Sequence, residues 1–134
     1  MSQRVLVTGA TGFVGCELLD QLVRAGCEVH ALARTSSDRS GTPRAVQWHA
    51  GDITDADSVS AFCAHAGKDA WLIHGAALIS YRRRDAALQW RVNVEGTRNV
   101  LLAARRAGVA RMCHVSSIVA LKTPSSAGSA SRCA

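Results

Sequence analysis

Thr8-Gly9-Ala10-Thr11-Gly12-Phe13-Val14-Gly15 sets three glycines three residues apart, and its flanks give that spacing its meaning. Before it, Arg4 to Thr8 is a short apolar, β-branched run that reads as a buried strand. After it, Phe13, Leu18, Leu19, Leu22 and Val23 recur at helical spacing, and Gly26 stands where a C-cap glycine ends a helix. Glu28 to Ala33 is a second strand. In this context Gly9 turns the chain sharply off the strand. Gly12 lets a pyrophosphate come close to the backbone, and Gly15 lets the helix pack close to the sheet. The helix start then offers unpaired N–H groups and a positive dipole end to the anion. Thr11, Phe13 and Val14 lie within the same turn and are expected at the ligand with the glycines. Glycine clusters also make plain tight turns, but here strand, turn, helix and strand all agree on a dinucleotide site.

The remaining chain alternates in the same way. A loop rich in Ser, Thr, Gly and Pro runs from Thr35 to Pro43, and Val46 to Ala50 is a short third strand closed by Gly51-Asp52. Thr54 or Asp55 caps a helix through Ala66 that turns Val59 and Phe62 inward. Asp69 to Ala77 is a fourth, nearly continuous apolar strand. Ala86 to Ala107 is the longest helix, and Arg111 to Val115 a fifth strand. Strands that read as buried on both faces, alternating with helices, predict an α/β fold with a parallel sheet. Right-handed crossovers with one reversal predict a Rossmann-type, doubly wound sheet in order 3-2-1-4-5, with its ligand above the carboxyl ends. Residues 1–120 form this domain. Residues 121–134 are rich in Ser, Ala and Gly without apolar periodicity and are expected to be a disordered tail.

Composition narrows the function. With 134 residues and 48% hydrophobic residues, the chain suits one domain with a core. No apolar run approaches the roughly 18 residues of a membrane span, and the start lacks a secretion-signal pattern, so a cytoplasmic protein without membrane contact is expected. The net charge of +6 comes from scattered arginines, with Arg82-Arg83-Arg84 and Arg105-Arg106 as the short clusters. Few aromatic residues interleave them, which argues for a solvated basic face and against nucleic-acid binding. The five cysteines show no C-x-x-C pair, so neither a zinc site nor a disulfide framework is expected. Cys16, Cys27, Cys63 and Cys113 read as small buried residues, and Trp48, Trp71 and Trp90 as core or half-buried packing.

The end of the second strand bears on the choice of dinucleotide. A carboxylate there would bond the ribose 2′-hydroxyl of NAD and repel a 2′-phosphate. Here Ala33 is followed by Arg34, whose guanidinium suits a phosphate, so NADP is expected in preference to NAD.

These residues resemble those of the extended short-chain dehydrogenase/reductase family. The nearer branch holds NAD(P)-dependent epimerases and dehydratases, dihydroflavonol reductases and 3β-hydroxysteroid dehydrogenases. The G-x-x-G-x-x-G spacing is the family's extended form. Gly51-Asp52-Ile53 resembles its adenine-contacting segment, which implies Asp52 near the base and Ile53 packed beside it. Ile73-His74-Gly75-Ala76-Ala77 is similar to its I-H-x-A-A strand end, which places Ala76 beside the cofactor. Asn93-Val94-Glu95-Gly96-Thr97 matches its N-V-x-G-T helix motif, and Val115-Ser116-Ser117 its catalytic-serine strand end, which implies Ser117. Gly75 departs from the pattern, because a bulkier residue is usual there. His74 is expected to be a structural histidine that orders its loop. Asn93 is expected to bond the backbone of the fourth strand.

The resemblance runs from about residue 4 to 120 and also implies what is missing. Family members exchange a proton through a tyrosine and lysine in Y-x-x-x-K after the fifth strand. The one tyrosine here, Tyr81, precedes the long helix, and Ile118 stands four residues before Lys122. Residues 123–134 look like nothing at that place in the family. The expectation is therefore a fold truncated after the fifth strand, inactive by itself, with an uncovered sheet face that promotes self-association. A cofactor-dependent regulatory module and a partial subunit completed by another chain are the alternatives.

Overall fold

The computed structural model describes residues 2–121. Strand β1 (Arg4–Thr8) leads to helix α1 (Phe13–Arg24), β2 (Glu28–Ala33), β3 (Gln47–Ala50), α2 (Ala56–Cys63) and β4 (Trp71–His74). A helical stretch follows in three parts: α3 (Ala86–Trp90), a π turn (Arg91–Gly96) and α4 (Thr97–Arg106). Strand β5 (Arg111–His114) and a 3₁₀ turn at Ile118–Ala120 complete the described chain.

The five strands form one parallel sheet in the order β3-β2-β1-β4-β5, as expected. Strand alternation splits the core into two layers. Val5, Val7, Val29 and Ala31 face α1 and meet Leu19. Leu6, Leu32 and Leu72 face the other way, toward Val59 and Phe62 of α2 and Val100, Ala103 and Ala104 of α4. Val5, Leu6 and Val7 of β1 are fully buried, as a central parallel strand covered on both faces must be. Helix ends follow local chemistry. Asp55 caps α2 by accepting from the Asp57 N–H, and Gly26 ends α1 with a φ of 77°.

Several boundaries differ from expectation. Strand β4 stops at His74 instead of Ala77, because after the Gly75 N–H bonds Thr8 O the chain leaves the ladder to line the cleft. Helix α2 stops at Cys63, not Ala66. The single helix expected over 86–107 is interrupted by the π turn, whose Gly96 lies against Ile53. A Cβ at Gly96 would come within 2.7 Å of Ile53 Cδ1, so a side chain there would have to displace Ile53.

Burial was misjudged at several places. Cys16 and Cys27 are only half-buried, and Cys113 is exposed. Trp71 and Trp90 are 39% and 61% exposed. The common cause at Trp71 and Cys113 is that α1 packs over β1 and β2, while no described helix crosses the same face of β4 and β5. There the Arg111 guanidinium lies over the Trp71 ring, 5.4 Å from its centroid. Apart from Leu121, the expected tail lies outside the described residues.

Candidate functional site

At the carboxyl ends of β1, β2 and β4 a cleft of about 400 Å³ opens. Local geometry explains how the backbone makes room for it. Gly9 takes a φ of 73°, in the region where a side chain is strained, and a Cβ there would lie 2.4 Å from the Gly75 carbonyl carbon. At Gly15 a Cβ would meet Gly9 O at 2.1 Å, so this buried glycine seats α1 against the turn. Gly12 is different. Its backbone is extended (φ −79°), and a Cβ would touch only Gly9 O, at 3.3 Å. Nothing in the fold itself strictly demands glycine at position 12. It is the N-cap of α1, and no side chain bonds the helix end there. The N–H groups of the first turn therefore have no partner within the helix, and Gly12 at its start lines the cleft.

The cleft is lined from three sides. The glycine turn contributes Thr8, Gly9, Thr11 and Gly12. The ends of β2 and β3 contribute Ala33, Arg34, Ser37, Asp52 and Ile53. Residues 75–78 and one face of the α3–π-turn segment, at Leu88, Arg91 and Val92, close the third side. Asp52 Oδ1 accepts both the N–H (2.9 Å) and the hydroxyl (2.8 Å) of Thr54, which pins the loop that follows β3. Ile53 is buried, and its carbonyl accepts from Asn99 Nδ2 at 2.9 Å.

His74 lies directly beneath. It is fully buried, with Nδ1 2.6 Å from Thr8 Oγ1 and Nε2 2.9 Å from Thr97 Oγ1. Burial, with a smaller effect of the neighbouring His114, pushes its pKa down to about 4. A neutral imidazole donates from one nitrogen and accepts at the other, and each threonine hydroxyl can play either part. His74 is thus a structural tie from β4 to β1 and α4, reaching two elements beyond its own loop.

The other expected site residues fall in different places. Gly15 supports the turn from below and does not line the cleft. Phe13 is 98% exposed and, with Val14, lines an adjoining groove on the outer side of α1 together with Thr11 and Gly12. Ala76 lines the cleft. Asn93 does not line it. Its Oδ1 accepts from Leu78 N and its Nδ2 donates to Leu78 O, both at 2.8 Å, so it clamps the cleft's third wall. The bond was expected on the fourth strand and instead falls on the loop after it. Ser117 lies outside the cleft, caps the 3₁₀ turn and accepts from Val119 N at 3.3 Å. Sequence reasoning passed over Ser37, Leu88, Arg91 and Val92. The i, i+3, i+4 spacing of Leu88, Arg91 and Val92 was the available signal for three of them.

Comparison with known proteins agrees with this geometry. A putative dihydroflavonol 4-reductase of Synechocystis sp. is 37% identical over 122 residues, covering 90% of this chain and 34% of that protein. The 3 beta-hydroxysteroid dehydrogenase/Delta 5-->4-isomerase of Mycobacterium tuberculosis is 41% identical over 124 residues, covering 85% of this chain and 31% of that protein. The crystal structure of the UDP-glucose 4-epimerase of Thermus thermophilus in complex with NAD matches with a TM-score of 0.74 at 31% identity. It covers 82% of this chain and 36% of that one. The chain thus spans about a third of the length of the curated relatives it matches. The family model matches residues 5–129, so the resemblance runs past the boundary expected near residue 120. By this match the chain belongs to the NAD dependent epimerase/dehydratase family.

Proposed function

We infer that this chain is the nicotinamide-dinucleotide-binding part of an oxidoreductase or epimerase/dehydratase, that it prefers NADP to NAD, and that it does not turn over alone. One observation carries the reading. The uncapped start of α1 meets a cleft in which Gly12, unlike Gly9 and Gly15, leaves space that the fold itself does not need. A Cβ there would take up room suited to a pyrophosphate. The residues fit the cofactor: the first-turn N–H groups of α1 and Thr11 for the diphosphate, Asp52 and Ile53 for the adenine side, and Ala76 toward the nicotinamide side. The bound dinucleotide would supply hydride transfer.

Arg34, exposed at the cleft's edge, carries the NADP preference. The neighbouring Ala33 brings no carboxylate to oppose a 2′-phosphate. Ser117 would orient a substrate oxygen in a completed site, by its resemblance to the family's serine, but the sequence holds no Y-x-x-x-K to exchange the proton, so the chain by itself binds without turnover. The bare face at Trp71 and Cys113 favours self-association.

Titration with NADPH and NADH, followed by nicotinamide fluorescence, tests this. NADPH should bind more tightly. Arg34→Ala should erase that preference by about 10- to 100-fold, the worth of a hydrogen bond to a charged group. Equal affinities in the unaltered chain would refute the NADP assignment. No binding of either nucleotide by a folded chain would refute the site.

A further inference from the structure

Three histidines that the cleft does not use meet on the α2 side of the sheet. His30 lies on β2, His49 on the edge strand β3, and His65 just beyond α2. One ring nitrogen from each falls within 4.8 Å of the others. His30 Nδ1 and His49 Nε2 are 2.9 Å apart, and the His49 and His65 rings lie 4.2 Å apart between centroids. Burial grades across the group: His30 is buried, His49 half-buried and His65 exposed.

The surroundings orient this group. Glu28 Oε1 lies 3.1 Å from His30 Nε2 and 3.0 Å from an Arg4 guanidinium nitrogen. The Arg4 bond first, and the His30 bond next, hold the Glu28 carboxyl below its usual range, so it is ionised and accepts. An ionised acceptor at Nε2 keeps the proton on that nitrogen, which leaves the Nδ1 lone pair facing His49. This is the carboxylate–imidazole arrangement that fixes tautomer and ring angle in metal-binding histidines. Arg4 also donates to His65 O at 2.9 Å, which fastens the residue after α2 above the pair. Its positive charge is met by Glu28, which lies between the guanidinium and the His30 ring.

We propose that His30 Nδ1, His49 Nε2 and a ring nitrogen of His65 bind a first-row transition dication of the zinc class, with Glu28 as the orienting carboxylate and water completing the shell. Three imidazoles favour such an ion over magnesium or calcium, which take oxygen ligands. Zinc–nitrogen bonds of about 2.0–2.1 Å in a tetrahedron place ligand nitrogens about 3.3 Å apart. His30 and His49 would part slightly, and His65 would close in by up to about 1.5 Å, which its exposed ring permits. Glu28 and Arg4 bring charged side chains into bonding contact with the group. None of the three histidines lines the nucleotide cleft, although His49 pairs with Leu32, which does. A bound ion would tie the edge strand β3 to β2 and to the chain beyond α2.

Zinc is the probe, titrated into the full chain at pH 7.5 in competition with a chromophoric chelator. One ion per chain is expected, with a thermal midpoint that rises with zinc. His65→Ala and His49→Gln should each weaken binding at least tenfold, and Glu28→Gln by about 10- to 100-fold. Because His65 is exposed, His65→Ala should keep the fold and leave NADPH binding unchanged, so the metal site and the nucleotide site can fail independently. Cobalt in place of zinc identifies the ligands, since imidazoles give no sulfur-to-metal charge-transfer band. Zinc binding that survives His65→Ala and His49→Gln, a thiolate band with cobalt, or no stoichiometric binding by the folded chain would each overturn the proposal.

Discussion

His74 makes the stability of this domain depend on pH in a direction and window that the structure specifies. Its pKa falls from an ordinary 6.5 to about 4 in the fold, because the ring is fully buried between Thr8 and Thr97 with His114 stacked nearby. The unfolded chain therefore binds a proton near pH 6.5 that the folded chain refuses until about pH 4. Above 6.5 both states are neutral and the contribution is fully present. It drains away as pH falls through the window and is gone below about 4. The interval corresponds to about 3 kcal/mol, at about 1.4 kcal/mol per pH unit. That is a large share of the roughly 5–15 kcal/mol typical of a domain. Urea unfolding followed by circular dichroism from pH 7.5 to 3.5 would measure it, with His74→Gln as the non-titrating reference. Glutamine keeps a donor and an acceptor, so its variant should be less stable at pH 7 but lose less on acidification. His49 is also depressed and contributes equally to both proteins. Stability curves that run parallel between pH 6.5 and 4 would refute the reasoning.

The three glycines of the turn should separate by mutation. Gly12→Ala meets only a 3.3 Å contact and should cost about 1 kcal/mol as a poorer N-cap, while nucleotide affinity by fluorescence titration falls sharply. Gly15→Ala, 2.1 Å from a carbonyl oxygen, should cost about 1–3 kcal/mol or more in urea unfolding, and Gly9→Ala adds backbone strain to its clash. Gly96→Ala should push Ile53 toward the cleft, lowering stability by about 1–3 kcal/mol and weakening nucleotide binding together; a change in one without the other would contradict that coupling.

The glycine turn, the strand order and most element types were legible in the chain because each depends on local chemistry. Positive φ at Gly9, periodicity in α1, the Asp55 cap and the apolar strands are all written within a few residues. Arg34 was legible for the same reason, since it directly follows a strand whose end was already placed. Leu88, Arg91 and Val92 were half-legible: their spacing marks one helix face, but only packing decides that the face lines a cleft. The π turn was not readable: the helical periodicity runs through it, and the contact of its Gly96 with Ile53 joins positions 43 residues apart in the chain.

Burial was the least readable property. Trp71 looks like core by composition, yet its exposure depends on which helix covers β4, a matter of topology and not of tryptophan. The three histidines carry the same lesson further. Their sequence separations follow no metal-ligand spacing, so nothing local announced them. Parallel pairing of β2 with β3 and the return of the chain after α2 bring His30, His49 and His65 together. Sequence by itself determined the phosphate turn and the sheet it belongs to, because backbone conformation and side-chain periodicity are short-range. Only tertiary structure decided which residues share a site, because that follows from packing between segments far apart in the chain.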